Sequence, residues 1–70
     1  MIDEQLLDKY RIEGTLVRVI RDANEENDVI GQVVAWSDTE LLLRKANRRV
    51  VKLSRNYTVI PADAERPSMI

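Results

Sequence analysis

The sequence contains no cysteine and no histidine, and these two absences exclude much of the chemistry that small proteins carry out. Without cysteine the chain cannot form disulfides, thiolate zinc sites or a thiol nucleophile. Without histidine, Ser37, Ser54 and Ser68 have no imidazole to activate them. Carboxylates could perform acid–base catalysis, but a domain this small has no deep cleft to tune them. We therefore expect a protein that is not an enzyme and that binds no cofactor, metal or small-molecule substrate.

Long apolar runs are also absent. No segment approaches the about 18 consecutive apolar residues of a membrane span. The first ten residues, MIDEQLLDKY, carry acids before the first lysine, whereas a signal peptide begins with basic residues. The composition, 44% hydrophobic and 33% charged, is that of one folded domain. These features predict a cytoplasmic protein that does not contact membranes.

Charge is distributed unevenly along the chain. Residues 1–40 carry ten acids and four bases, whereas residues 41–60 carry six bases and no acid. The two segments therefore have net charges of −6 and +6, while the whole chain has a net charge of −1. If the fold keeps the segments apart, the molecule is electrically two-sided.

The N-terminal residues 2–9 are predicted to form a short helix. Asp3 is placed to cap it, because a carboxylate can accept hydrogen bonds from the free N–H groups of a first helical turn. A helix this short is not stable by itself. We therefore expect Leu6 and Leu7 to pack on the rest of the domain.

Five short segments rich in β-branched and apolar residues follow, separated by tight turns. The first begins at Tyr10 and contains Gly14, which indicates a bend within a strand. Asn47 is the residue expected to be left-handed in the turn between the third and fourth segments. Residues 62–70 have no periodicity, which predicts a flexible tail after a single domain of residues 1–61. The five segments are YRIEGTLVRVIRD, VIGQVVAW, ELLLRK, RVVKLS and YTVIP.

Five strands in so short a chain bury most surface when a strongly bent sheet closes on itself. The predicted fold is therefore mainly β: a five-stranded, strongly bent antiparallel barrel with one short N-terminal helix. The predicted core consists of Leu16, Val17 or Val19, Val33, Leu41 or Leu43, Val51, Leu53 and Val59.

This order of elements resembles the SH3-like and Sm-like small barrels. The stretch WSDTELLLRK looks like the first Sm-like signature, with Asp38 as the acid of the turn. VVKLSRNYTVI looks like the second, with Arg55 in place of its arginine and Asn56 where the family has a glycine. The resemblance covers about residues 3–61, and the KOW modules of translation and transcription proteins match about as well.

The Sm-like resemblance implies a binding module. Sm-like barrels assemble by pairing the fourth strand of one copy with the fifth strand of the next, which here are residues 49–54 and 57–60. A protein-interaction or self-assembly role, with a protein partner or another copy, is therefore the first functional hypothesis.

The basic segment LLLRKANRRVVKL, residues 41–53, supports a second hypothesis. Cations on a projecting hairpin can neutralise phosphates, and aromatic side chains can stack on bases. The alternative is a solvated strand face that also protects an edge from aggregation; the pI near 5.3 favours it. The nucleic-acid hypothesis assigns phosphate contacts to Arg44, Lys45, Arg48, Arg49, Lys52 and Arg55, and stacking to Trp36 and Tyr57.

Two features have competing explanations. Trp36, the single tryptophan, either fills part of the core or forms an exposed platform, and the core is the preferred explanation. The acidic residues 22–28 begin like a calcium-binding loop. However, Asn27 occupies the position of the required glycine, and Val33 occupies that of the closing glutamate. We expect this segment to be a solvated loop.

Overall fold

A computed structural model describes residues 2–67, which form one helix and five antiparallel strands in a single sheet. The prediction of a mainly β domain with five strands and an N-terminal helix is confirmed. No helix among the described residues is long and apolar enough to cross a membrane. The elements are α1 (Glu4–Glu13), β1 (Leu16–Ile20), a 3₁₀ turn (Glu25–Asn27), β2 (Val29–Trp36), β3 (Glu40–Arg44), β4 (Val50–Ser54) and β5 (Thr58–Pro61).

The helix begins two residues later than the predicted residues 2–9 and ends four residues later. The Asp3 side chain accepts a hydrogen bond of 3.0 Å from the backbone N–H of Gln5, which confirms the cap. The helix ends at Glu13 and is capped by Gly14, which has a φ of 66° and donates its N–H to the carbonyl of Arg11. The prediction of a strand beginning at Tyr10 is therefore wrong. Gly14 is the left-handed cap of the helix instead of a bend in a strand.

The sheet has the strand order β4-β3-β2-β1-β5, with antiparallel pairing throughout. Within residues 2–67 no ladder joins β4 to β5, so these strands lie at the two ends of an open sheet. The structure thus gives the predicted strand number and direction, but not the predicted closure into a barrel.

Two irregularities in β2 shape the sheet. The register of β2 against β3 shifts between Val33 and Ala35, which marks a bulge. At Gly31, a Cβ atom would lie 2.6 Å from the carbonyl oxygen of Arg44. No other residue type could occupy this position without moving the neighbouring backbone, so Gly31 permits the close approach of β3.

The core lies between α1 and one face of the sheet, which we call the inner face. The prediction that Leu16 belongs to the core is wrong, because this residue is 52% exposed on the outer face of the sheet. Leu6 is 37% exposed, whereas Leu7 is fully buried. Helical spacing explains the difference in exposure between Leu6 and Leu7, since Leu7 and Tyr10 share the side of α1 that contacts the sheet. The buried cluster comprises Leu7, Tyr10, Val17, Val19, Val33, Leu41 and Leu43, with Trp36, Val51, Leu53, Tyr57 and Val59 partly buried against it.

Residues 62–67, within the predicted flexible tail 62–70, make specific hydrogen bonds. Ala62 donates its N–H to the carbonyl of Leu16 at 2.9 Å. Arg66 donates to the carboxylate of Asp28 and to the carbonyl of Asp22. This segment therefore holds the loop between β1 and β2, and the rest of the predicted tail, residues 68–70, lies outside the described residues.

Candidate functional site: a free sheet edge beside a basic hairpin

The hairpin between β3 and β4 ends in a tight turn. Lys45 donates its N–H to the carbonyl of Arg49 at 2.8 Å, and Arg48 donates to the carbonyl of Lys45 at 2.9 Å. The Asn47 side chain accepts a bond of 3.0 Å from the N–H of Arg49. The left-handed residue is Arg48, with a φ of 69°, so the prediction for Asn47 is wrong. The bond from Arg49 ties the Asn47 side chain to this turn.

This turn brings together four of the six predicted phosphate-binding cations. Arg44, Lys45, Arg48 and Arg49 are all exposed, and we call them the tip cations. Within residues 2–67 none of them lies within 4.0 Å of a carboxylate oxygen. Their charge is therefore available to a partner.

The two remaining cations lie elsewhere. Lys52 extends from the outer face of β4, with a side chain that is 63% exposed and 3.9 Å from Glu40. Arg55 is buried, and its guanidinium donates to the carbonyls of Ser37 at 2.7 Å and Ile2 at 2.9 Å. It also lies 3.5 Å from the carboxylate of Glu4. Arg55 thus connects three parts of the chain, and we leave it out of the candidate binding surface.

The two predicted stacking residues are not brought to the tip. Trp36 is paired in register with Leu41, at the end of β3 opposite to the tip, and packs partly against the core. It also lines a shallow cavity of about 170 Å³ together with Leu42 and Lys52. Tyr57 is partly buried as well, and the guanidinium carbon of Arg21 lies 5.9 Å from its ring centroid. Neither ring faces the tip cations.

The acidic loop 22–28 is held by internal bonds. The Asp28 side chain, 2% exposed, accepts bonds from Arg66 at 2.9 Å and Arg18 at 3.1 Å. Hydrogen bonds from Arg66 lower the pKa of the Asp28 carboxyl; burial opposes this effect, and Arg18 adds to it. Asp22 accepts from Asn24 and Asn27. Among the described residues no group of three or more carboxylates has the arrangement of a metal site.

The acidic loop and the tip cations are not at opposite ends of the sheet. The loop follows β1 and the tip follows β3, and these strands run in the same direction in an antiparallel sheet. The predicted electrical two-sidedness therefore does not follow from the topology. However, no ion pair within residues 2–67 joins the acidic loop to the tip cations, and Arg18 and Arg66 partly neutralise the loop.

The outer edge of β4 lies in residues 49–54, the segment that the Sm-like resemblance predicts to pair with another copy. The N–H of Lys45 bonds to the carbonyl of Arg49, and the N–H of Arg55 bonds to the carbonyl of Thr39. These two pairs flank the β3–β4 ladder, and in each pair the two facing residues are hydrogen-bonded to each other. In an antiparallel ladder, hydrogen-bonded pairs of facing residues alternate with pairs that are not hydrogen-bonded. Counting inward from the two flanking pairs, Val51 and Leu53 are the residues of β4 that bond to β3. The N–H and C=O groups of Val50 and Lys52 therefore point away from β3, along an edge that no described strand covers.

The edge of β5 is less suited to pairing. Ala62 bonds to Leu16, so by the same alternation Ile60 bonds to β1 and the polar groups of Val59 point outward. Pro61 is the next outward position and has no N–H to donate. The β4 edge therefore offers more outward hydrogen-bonding groups than the β5 edge. A sequence signal was present, since Val50 and Lys52 alternate with Val51 and Leu53, but a strand's place in the sheet depends on the whole topology.

Comparison with known proteins gives no match to a family model and no significant match to a curated protein or a solved structure.

Proposed function

We propose that this protein is a non-enzymatic binding module in which the edge of β4 accepts a strand from a protein partner or from another copy of the chain. The observation that supports this proposal is the outward direction of the Val50 and Lys52 backbone groups. Main-chain hydrogen bonds to an added strand would satisfy these groups. An unpaired edge is a template for pairing, and β4 carries no proline or bulge to prevent it.

We also propose that the fold belongs to the SH3-like or Sm-like type of small barrel. It is supported by the strand order β4-β3-β2-β1-β5, the bulge in β2 and the helix packed on the inner face. In Sm-like assemblies the added strand is the fifth strand of a neighbouring copy, which here is Thr58–Pro61. Sedimentation over a range of protein concentrations tests this occupant, since pairing between copies makes the mass rise with concentration.

The edge proposal is tested by two substitutions at one position. In Lys52→Pro the outward N–H is lost, while the bonds of Val51 and Leu53 to β3 remain, so the fold is retained. Lys52→Thr keeps the N–H and removes the charge, and threonine is well tolerated in strands. An end-blocked peptide of about seven residues, in which Thr and Val alternate, serves as an uncharged strand.

We expect this peptide to bind the wild type and Lys52→Thr and to lose binding to Lys52→Pro, as measured by calorimetry with circular dichroism as the check on folding. Equal binding to the two Lys52 variants would contradict strand addition. The edge proposal would also be contradicted if the wild type neither binds the peptide nor increases in mass on concentration.

A second candidate function is weak, salt-sensitive binding of RNA or DNA by the tip cations. It is supported by the four exposed cations that have no carboxylate partner within residues 2–67. Each phosphate contact contributes about 0.9 to the slope of log affinity against log salt for duplex DNA and about 0.7 for a single strand.

The double change Arg48→Ala and Arg49→Ala should reduce that slope by about two contacts. A matched pair, Lys9→Ala and Arg11→Ala on the exposed side of α1, should leave it unchanged. Absence of wild-type binding at about 50 mM salt, where phosphate attraction is strong, would rule out this function.

A further inference from the structure

We infer that the strand accepted by β4 is acidic on one face and apolar on the other. This inference rests on the proposed strand addition and names the chemistry of the partner. It follows from the side chains that flank the open edge, because an added strand places its own side chains directly beside them, on the same two faces of the sheet.

The inner face of the edge favours apolar residues in the partner. Val51 and Leu53 pack against the core but remain partly exposed, because no further strand within residues 2–67 lies beside them on the side of β4 away from β3. An added strand would extend the apolar inner face by one row. The partner residues beside Val51 and Leu53 should therefore be apolar.

The outer face of the edge favours acidic residues. Lys52 is the central outward residue of β4, and its neighbour Glu40 lies on β3, on the side away from the open edge. β4 begins at Val50, and the turn just before it carries Arg48 and Arg49, two exposed tip cations. A carboxylate beside Lys52 and another near the tip would pair with charges that the chain leaves largely free.

The cations also determine which strands are rejected. A strand with lysines on its outer face would place like charges directly opposite each other, which is destabilising in a sheet. The fifth strand of the chain, Thr58–Pro61, has no acid and gains nothing from Lys52 or the tip. The geometry therefore favours an extended acidic segment of a different protein over the chain's own β5.

Three end-blocked peptides of about seven residues test the inference. Valine occupies alternate positions in all three, and the intervening positions carry Glu, Thr or Lys. We expect the Glu peptide to bind the wild type about three- to tenfold more tightly than the Thr peptide at low salt, and the Lys peptide to bind more weakly than both. At about 0.5 M salt the three affinities should converge.

Variants assign the preference to particular residues. Lys52→Thr should bring the Glu peptide close to the Thr peptide in affinity, and Arg48→Ala with Arg49→Ala should reduce the preference further. The matched pair Lys9→Ala and Arg11→Ala should leave the preference intact. Lys52→Pro should lose all three peptides, because the backbone bond is common to them.

The outcomes separate the inference from the proposal on which it rests. If the Thr peptide binds and the Glu peptide binds no better, acidic specificity is wrong while strand addition survives. If no peptide binds, acidic specificity is wrong, and strand addition is wrong as well unless the mass rises with protein concentration. The inference is also overturned if Lys52→Pro still binds the Glu peptide, or if single-stranded oligo(dT) displaces that peptide and binds more tightly, because the tip is then a polyanion site.

Discussion

Arg55 and Arg48 lie seven positions apart on the same hairpin, but they serve different purposes. Arg48 is exposed and has no carboxylate within 4.0 Å among residues 2–67, so its charge is available to a partner. Arg55 is 4% exposed and donates to two backbone carbonyls. Sequence placed both in one basic surface, because residue type and spacing do not report which cation turns inward.

Loss of the Arg55 side chain should affect stability and not binding. Arg55→Ala leaves the carbonyls of Ser37 and Ile2 without their donor, which should lower the free energy of unfolding by about 1–3 kcal/mol. Urea denaturation measures this loss. Arg48→Ala is the matched control and should change stability by less than about 0.5 kcal/mol. Equal stabilities for the two variants would contradict the anchoring role of Arg55.

Asp28 gives the structure a pH-dependent contact. The carboxylate joins the β1–β2 loop to Arg66 and Arg18, and its pKa in the folded state is lowered mainly by Arg66. A lowered folded-state pKa means that the contribution of Asp28 to stability is present above the unfolded-state pKa. This contribution is lost as the pH falls through the folded-state pKa.

Asp28→Asn should therefore melt at a lower temperature than the wild type at pH 7, because Arg18 and Arg66 lose their counter-charge. The difference in melting temperature should shrink as the pH is lowered from about 5 to about 2. Glu26→Gln, an exposed change in the same loop, should melt like the wild type at each pH. A difference between Asp28→Asn and the wild type that grows on acidification would refute the role given to Asp28.

At the scale of elements, sequence patterns located the strands better than the helix. The strands β2, β3 and β4 lie within their predicted segments because alternating apolar residues identify a strand with one buried face. The helix continued to Glu13 through residues with strand-like composition, such as Tyr10 and Ile12. Here the contact of Tyr10 with the core and the left-handed cap at Gly14 outweighed local preference.

Helix α1 is a full part of the core and not a peripheral attachment. Leu7→Ala should lower the free energy of unfolding by about 2–5 kcal/mol, because Leu7 is 0% exposed within the buried cluster. Leu6→Ala, next to it but 37% exposed, should cost less than about 1 kcal/mol. Chemical denaturation of the two variants measures both values. Similar losses for the two leucines would show that the helix packs differently.

Only part of the candidate site could be predicted from the sequence. The tip cations could be found from the sequence, since residues 41–53 contain five bases and no acid. Residue patterns alone could not locate the free edge, to which only the Sm-like resemblance pointed, because it depends on β4 lying at the end of the sheet and on the alternation of its bonds to β3. Both depend on pairings between residues that are distant in sequence.

At the scale of the whole molecule, we propose that the open sheet is completed by a strand from outside the chain. Within residues 2–67 the ladders end at β4 and β5. Of these two edges, β4 has more outward groups and lies beside the cations, while β5 is limited by Pro61. A ladder between β4 and β5 would leave no such edge, so the claim depends on the absence of that ladder within residues 2–67.

Residue-resolved amide hydrogen exchange tests this claim most directly. In dilute protein the account predicts fast exchange for the amide of Lys52, which points to solvent, and slow exchange for that of Val51, which bonds to β3. Saturation with the alternating Glu–Val peptide should slow exchange at Lys52 and Val50 by a larger factor than at Val51, which slows only as far as binding stabilises the whole fold. An amide of Lys52 that is already protected in the dilute protein, or that exchanges at the same rate with and without saturating peptide, would contradict the account.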